Sequence, residues 1–338
     1  MIGLDGEGVL KERGSPVSCC LPVVSNRRHF QIPERTTKMN SATKVFCLGL
    51  VALVCYFFAN VRAQAQSLFE ADSASYNIYE FTPGGAQSTF ASGVGVAGQL
   101  AFNNAGDLFA ADSGTGEIYE FTPNGAQSTF ASGLNHPNGL ALNSAGDLFV
   151  ADWGNNSIYE FTPSGSQSTF ASGLNSPQSL AFDNAGNLFE ADSVSGNIYE
   201  FTPSGSQSTF ASGVNPYRLV FNSAGDLFVG QIYASGSSII KITPGGVQSP
   251  FVSYSRFNIT SMVFNSAGDL FTANVPTPEN YGYNGSIIKI TSAGAQSTFA
   301  FPLNSPAGLA FQVPEPSTCS LLILGFVALL GSRRMRRR

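Results

Sequence analysis

The segment IYEFTPSGSQSTFASG occupies residues 158–173 and recurs, letter for letter, at residues 198–213. Close copies begin at Ile78 (IYEFTPGGAQSTFASG) and Ile118 (IYEFTPNGAQSTFASG), and diverged ones at Ile239 (IIKITPGGVQSPFVS) and Ile287 (IIKITSAGAQSTFAF). A second segment recurs between them, as LAFNNAGDLFAADSGTGE from Leu100, LALNSAGDLFVADWGNNS from Leu140 and LAFDNAGNLFEADSVSGN from Leu180. The unit is therefore about forty residues long and present in six copies.

Each unit divides at its turn signals into four short runs, LAF, DLFVAD, IYEFTP and QSTFAS, here termed strands a to d. NAGD or SAGD joins a to b and TP-x-G joins c to d, both short glycine-bearing links suited to hairpins. No apolar period of 3.6 survives across the runs, so helices are not expected. Four strands in a repeat of this length predict an all-β chain folded as a β-propeller, one repeat to a blade.

Strand a begins at Leu100, Leu140, Leu180, Leu219, Met262 and Leu309, whereas strand b carries Leu68, Leu108, Leu148, Leu188, Leu227 and Leu270. The first b has no a before it, and the last a has no b after it. The two ends of the repeat region are thus expected to share one blade, which closes a ring of six four-stranded blades and leaves no seam of unpaired backbone.

Residues 66–312 make up this ring. Before it, residues 45–61 form an apolar run after Lys38 and Lys44, and small residues fit for cleavage follow at Ala63 and Ala65. Residues 39–65 read as a secretory signal peptide starting at Met39, and residues 1–38 as an extension that is not part of the natural product. All five cysteines (Cys19, Cys20, Cys47, Cys55 and Cys319) lie outside the ring, so disulfides and thiolate chemistry have no place in it. Between Gln66 and Gln312 stand 17 acidic and four basic side chains, a net charge of −13, with no Lys or Arg from Gln66 to Gly213. Such a domain repels nucleic acid and favours neutral or cationic partners.

Residues 313–338 hold Val313-Pro314-Glu315-Pro316-Ser317, an apolar stretch and five arginines from Arg333 to Arg338. This closely resembles the PEP-CTERM sorting signal. The resemblance implies transient anchoring by a short membrane helix, cutting near Pro314, Glu315 and Pro316 by an exosortase, and release to the cell surface or extracellular matrix of a Gram-negative bacterium. The unit LNHPNGLALNSAGDLFVADWGNNSIYEF, from Leu134 to Phe161, resembles NHL repeats, and the whole ring resembles six-bladed propellers of the SMP-30/gluconolactonase and streptogramin-lyase-like kinds. Those families include hydrolases, lyases and binding modules, so the resemblance implies a fold and leaves the chemistry open.

Asp72, Asp112, Asp152 and Asp192 recur at the end of strand b and could suggest metal, but Gln231 and Asn274 replace them in the last two copies. They are expected to cap the turn that follows. Glu80, Glu120, Glu160 and Glu200 align with Lys241 and Lys289 on strand c, a position read as solvent-reaching or inter-blade, with an ion pair where Glu and Lys blades meet. No metal site or cofactor is assigned. A calcium-dependent lactonase of the SMP-30 kind would need carboxylates converging on the channel beside strand a, where Asp183 is the only one. A streptogramin-lyase-like reaction would need histidine, and His136 is the ring's only one. The reading therefore favours a binding or scaffold module in the envelope or matrix over either enzyme.

The a-b and c-d hairpins, on one face of the ring, hardly vary; the departures fall on the b-c loops and d-a crossings of the other. They include Tyr217 and Arg218, Tyr254 and Arg256 in crossings, and Tyr233, Tyr281 and Tyr283 in b-c loops. His136 and Trp153 lie on the same face in another blade. Exposed Tyr, Trp and Arg are the usual material of a binding surface, here for a neutral glycan or a protein ligand. On the processing scheme, intact-mass measurement of the exported protein should place its start near Gln64 or Gln66 and its end near Pro314 to Pro316. A species that retains Met1 or Arg338 would refute the scheme.

Overall fold

The computed structural model describes residues 66–95, 97–277 and 284–312. Among them, 24 strands form six four-stranded antiparallel sheets and there is no helix. Blade one combines Pro306–Phe311, Leu68–Asp72, Asn77–Phe81 and Gln87–Ser92, in that order from the axis outward. Blades two to six follow in chain order, each beginning at its innermost strand a and ending at its outermost strand d. The composite blade closes in register, with Leu68 opposite Phe311 and Glu70 opposite Leu309. Gln312 N–H donates to Ser67 O at 3.1 Å beyond the ladder. The break in the covalent chain thus falls where every other blade has its a-b turn.

The strands form because each face of a blade is buried on a neighbour. Strand b is buried at every position in blades one to four, which is why it reads LFxAD without a polar alternation. Its second residue is always Phe and stacks edge-to-face on the strand-d Phe of its own blade, as Phe69 does on Phe90 at 4.9 Å. In five of the six junctions it also meets the strand-a Phe of the next blade, as Phe69 does Phe102 at 5.0 Å. Rings packed this way add roughly 0.5–1.5 kcal/mol per pair beyond the area they bury. At the outer rim the Gln-Ser-Thr start of strand d is exposed in the four most similar blades, a polar edge that discourages further strand pairing.

The turns are rigid for local reasons. In the a-b turn Asn103 Oδ1 accepts from Ala105 N and Asp107 N at 2.9 and 2.8 Å, while its Nδ2 donates to Asp107 Oδ2 at 2.9 Å. Gly106 supplies the left-handed residue, with φ of 86°. In the c-d turn Thr82 Oγ1 accepts from Ala86 N at 3.1 Å.

Strand a starts about three residues earlier than the LAF signal indicates, at Pro137, Pro177, Pro216 and Pro306 among others. The chain runs straight from crossing into strand, and only a register irregularity separates the two parts. Pro can open this strand because its missing N–H falls at the strand start.

At the middle of strand b the blades read Glu70, Ala110, Val150, Glu190, Val229 and Thr272, all fully buried. Neither oxygen of Glu70 or Glu190 meets a hydrogen-bond partner in the chain. Burial, and secondarily the charge of Asp72 or Asp192, pushes both carboxyls well above their usual range. The fold favours their neutral form, whereas the unfolded chain ionises in the ordinary carboxylate range, so stability falls as pH rises above that range. Glu70→Val and Glu190→Val, which copy blades three and five, should each raise stability at pH 7 by ~1–3 kcal/mol, a gain shrinking toward pH 4 in denaturant titrations. A chain ending at residue 304 loses the closing ladder. Calorimetry should find it melting lower by about 10 °C or more, at ~2–4 °C per kcal/mol for a domain of this size.

Candidate functional site

The recurrent Asp at the end of strand b proves to hold two segments, not one. Asp72 Oδ1 accepts from Ala74 N and Ser75 N of its own b-c turn at 3.0 and 2.9 Å, the expected cap. Its Oδ2 accepts from Asn304 N and Ser305 N, in the crossing that enters the same blade, at 3.1 Å each. Asp112, Asp152 and Asp192 repeat this, reaching Gly95 N, Asn135 N and Asn175 N at 3.1, 2.9 and 2.6 Å. Backbone amides pointed at both oxygens leave these carboxylates little capacity to ligate a cation. Among the described residues there is no grouping of three or more His, Cys, Asp or Glu able to hold a metal ion. The Lys residues of strand c pair within their own blades, Lys241 with Asp226 at 3.5 Å and Lys289 with Asp269 at 2.8 Å, rather than across a Glu–Lys blade junction. The side chain of each reaches back only as far as the a-b turn of its own sheet.

The early start of strand a changes what faces the axis. Residues ahead of the LAF signal fill the channel with amides and hydroxyls: Gln99 Nε2 donates to Ser179 Oγ at 3.1 Å, and Asn138 Nδ2 to Gln178 Oε1 at 2.7 Å. Adjacent inner strands do not pair with one another, so these side chains also take up their free amides. Gln99 Oε1 accepts from Leu140 N, Ser179 Oγ from Leu219 N and Ser261 Oγ from Leu309 N, at 3.3, 3.1 and 3.0 Å.

Arg218 belongs to this web. The sequence places it in an exposed crossing; it lies instead in strand a of blade five (Pro216–Phe221), only 4 % exposed. Its Nε donates to Thr260 O, and its Nη1 to Gln178 O and Tyr217 O at 3.4 and 3.1 Å, so one guanidinium bridges blades four, five and six. Burial lowers its pKa. Its opposite number on strand b is Gly230, where the other five blades have Ala. A Cβ there would stand 3.3 Å from Arg218 Cβ and 3.4 Å from Met262 Sδ. LFVGQ against LFxAD was the visible sign of an accommodated side chain.

On the crossing face, Tyr233 ends strand b of blade five and is 46 % exposed. It lines an open groove of about 550 Å³ together with Ser235, Ser238, Ser253, Tyr254 and Ser255. Tyr254 is half-buried and packs on the apolar core between blades five and six, so its ring is less free than a loop tyrosine's. Burial raises its pKa. Arg256, next in the chain after Ser255, is exposed and does not line the groove. Tyr217 is half-buried, with the Arg218 guanidinium 4.2 Å from its ring centre. His136 and Trp153 pack with ring centres 4.6 Å apart and planes tilted by 43°, in blade three, and do not join the groove. Tyr281 and Tyr283, like Pro314, Glu315 and Pro316, lie outside the described residues. Both apolar segments flanking the ring do too, and the described residues contain no helix long and apolar enough to cross a membrane.

Comparison with known proteins agrees with this architecture. Residues 134–161 match the NHL repeat, and residues 312–338 the PEP-CTERM protein-sorting motif. No curated protein matches the chain in sequence. A chain from a nidogen/laminin complex superposes with a TM-score of 0.64 at 17% identity, covering 73% of this chain and 98% of that one. A virginiamycin B lyase from Staphylococcus aureus gives 0.53 at 16% identity over 71% and 86%, and a gluconolactonase from Xanthomonas campestris 0.55 at 17% over 63% and 78%. Identities this low establish the fold alone. The chain is a six-bladed β-propeller that carries an NHL repeat and, at its C-terminus, the PEP-CTERM signal of an exported, membrane-anchored precursor.

Proposed function

We propose that the ring is a binding module of the bacterial cell surface or extracellular matrix, delivered by its sorting signal and engaging a neutral glycan or a protein through the crossing face of blades five and six. The observation that carries this reading is the Ser- and Tyr-lined groove at Tyr233, with the exposed Arg256 following its lining residue Ser255 in the chain. Tyrosine offers a flat apolar face with a polar tip, and the serines offer hydroxyls, a combination suited to sugar rings or to a polar protein surface. The surrounding blades are those in which the repeat has diverged most, in strand c and at the end of strand b as well as in the loops, whereas blades two to four keep IYEF and an Asp at these places. In the channel, where a lactonase would gather carboxylates, this chain has Arg218 and amides. The signal peptide over residues 39–65 and removal of the segment after the Pro-Glu-Pro motif belong to the same proposal.

The test is retention on the producing cells' own matrix. Tyr233→Ala combined with Arg256→Ala, both exposed, should release the protein into the medium while moving the melting temperature by no more than ~2 °C. Undiminished retention of the folded double variant would overturn the assignment of this face.

A further inference from the structure

The opposite, hairpin face holds a second cavity. Six strand-a ends ring the mouth of the channel there: Phe102, Leu142, Phe182, Phe221, Phe264 and Phe311. Five are Phe, each packed on the strand-b Phe of the preceding blade at 4.9–5.1 Å. Blade three has Leu142 instead, so Phe109 lacks the ring its counterparts stack against. Leu142 also lines a cavity of about 700 Å³, together with Phe102, Phe149 and Phe182 and the carboxylates Glu160 and Asp183.

A second departure from the repeat falls in the same cavity. In blades two, three, five and six the a-b turn begins with Asn and ends with Asp: Asn103 and Asp107, Asn143 and Asp147, Asn222 and Asp226, Asn265 and Asp269. Blade four reverses the pair, as Asp183 and Asn187. The turn is unharmed by this. Asp183 Oδ1 accepts from Ala185 N and Asn187 N at 2.8 Å each, and Oδ2 from Asn187 Nδ2 at 3.0 Å, the same bonds the other turns make. What the reversal changes is which of the two hydrogen-bonded side chains carries the charge: Asp183, next to the strand-a end, lines the cavity, and residue 187 does not. No Lys or Arg occurs between Gln66 and Gly213 to neutralise it.

We propose that this cavity binds a small organic cation, an ammonium carrying an aromatic or branched apolar group. The apolar group packs on Leu142 and the flanking rings, in room that a sixth Phe would narrow, and the ammonium lies against Asp183 and Glu160. Low-dielectric walls and uncompensated carboxylates favour a cation that also removes apolar surface from water. This site is separate from the crossing face and independent of the function proposed for it.

The probe is phenethylammonium, titrated into the secreted protein by calorimetry, with phenylacetate and ethylammonium as comparators. Saturable binding is expected for phenethylammonium, with both comparators at least about tenfold weaker. Two variants restore what the other blades already contain and therefore keep the fold: Leu142→Phe, and Asp183→Asn combined with Asn187→Asp. Each should weaken phenethylammonium roughly tenfold or more without lowering the melting temperature. No saturable binding, equal binding of phenylacetate, or unchanged affinity in either restored protein overturns the proposal.

Discussion

A propeller blade has one covalent link to the blade before it, the crossing from strand d to strand a, and its inner strand pairs with no strand of the adjoining blades. The Asp at the end of strand b is what turns this loose connection into a fixed one. By accepting amides from the b-c turn on one oxygen and from the incoming crossing on the other, it sets the angle at which the chain enters each new sheet. Hydrogen bonds to a charged acceptor contribute ~1.5–3 kcal/mol each, and the bond recurs in four blades. The Asp side chains of strand b and of the a-b turns thus serve backbone geometry and keep their charge.

Blades five and six lack this clamp, and they show what its loss permits. Gln231 Oε1 accepts from Ser238 Oγ at 2.9 Å instead of from backbone amides, and Asn274 Nδ2 turns back to Thr272 Oγ1 at 3.0 Å. The crossings are held by neutral contacts, Asn215 Nδ2 on Ile232 O and Thr277 N on Arg256 O. Strand b lengthens from five residues to seven in both blades. In blade five it extends to Tyr233, beyond the level at which an Asp would have ended it. The groove on the crossing face lies at this extension of the blade, with Tyr233 in its lining.

The repeat made the strand order, the six blades and the composite closure legible, since each is a property of spacing. Side chains that occur once were harder to read. Arg218 looked like a loop residue because Pro216 resembles a break, yet Pro opens a strand whose first residue needs no donor. Glu70 and Glu190 were hidden inside LFEAD, where a carboxylate beside the recurrent Asp passes for one more polar strand end. Burial on both faces of the strand, which no single position reveals, makes them two unpaired acids. The Asn–Asp reversal at Asp183 is visible in the sequence, and only the fold shows that it puts the charge on the member of the pair that lines a cavity.

The composite blade has a directional consequence. Strand b of blade one begins at Leu68 and strand a ends at Phe311, side by side, so the polypeptide enters and leaves the ring at the level of the a-b turns. Any tether attached through Gln312 pulls on that one face, and does so at the innermost strand of the closing blade.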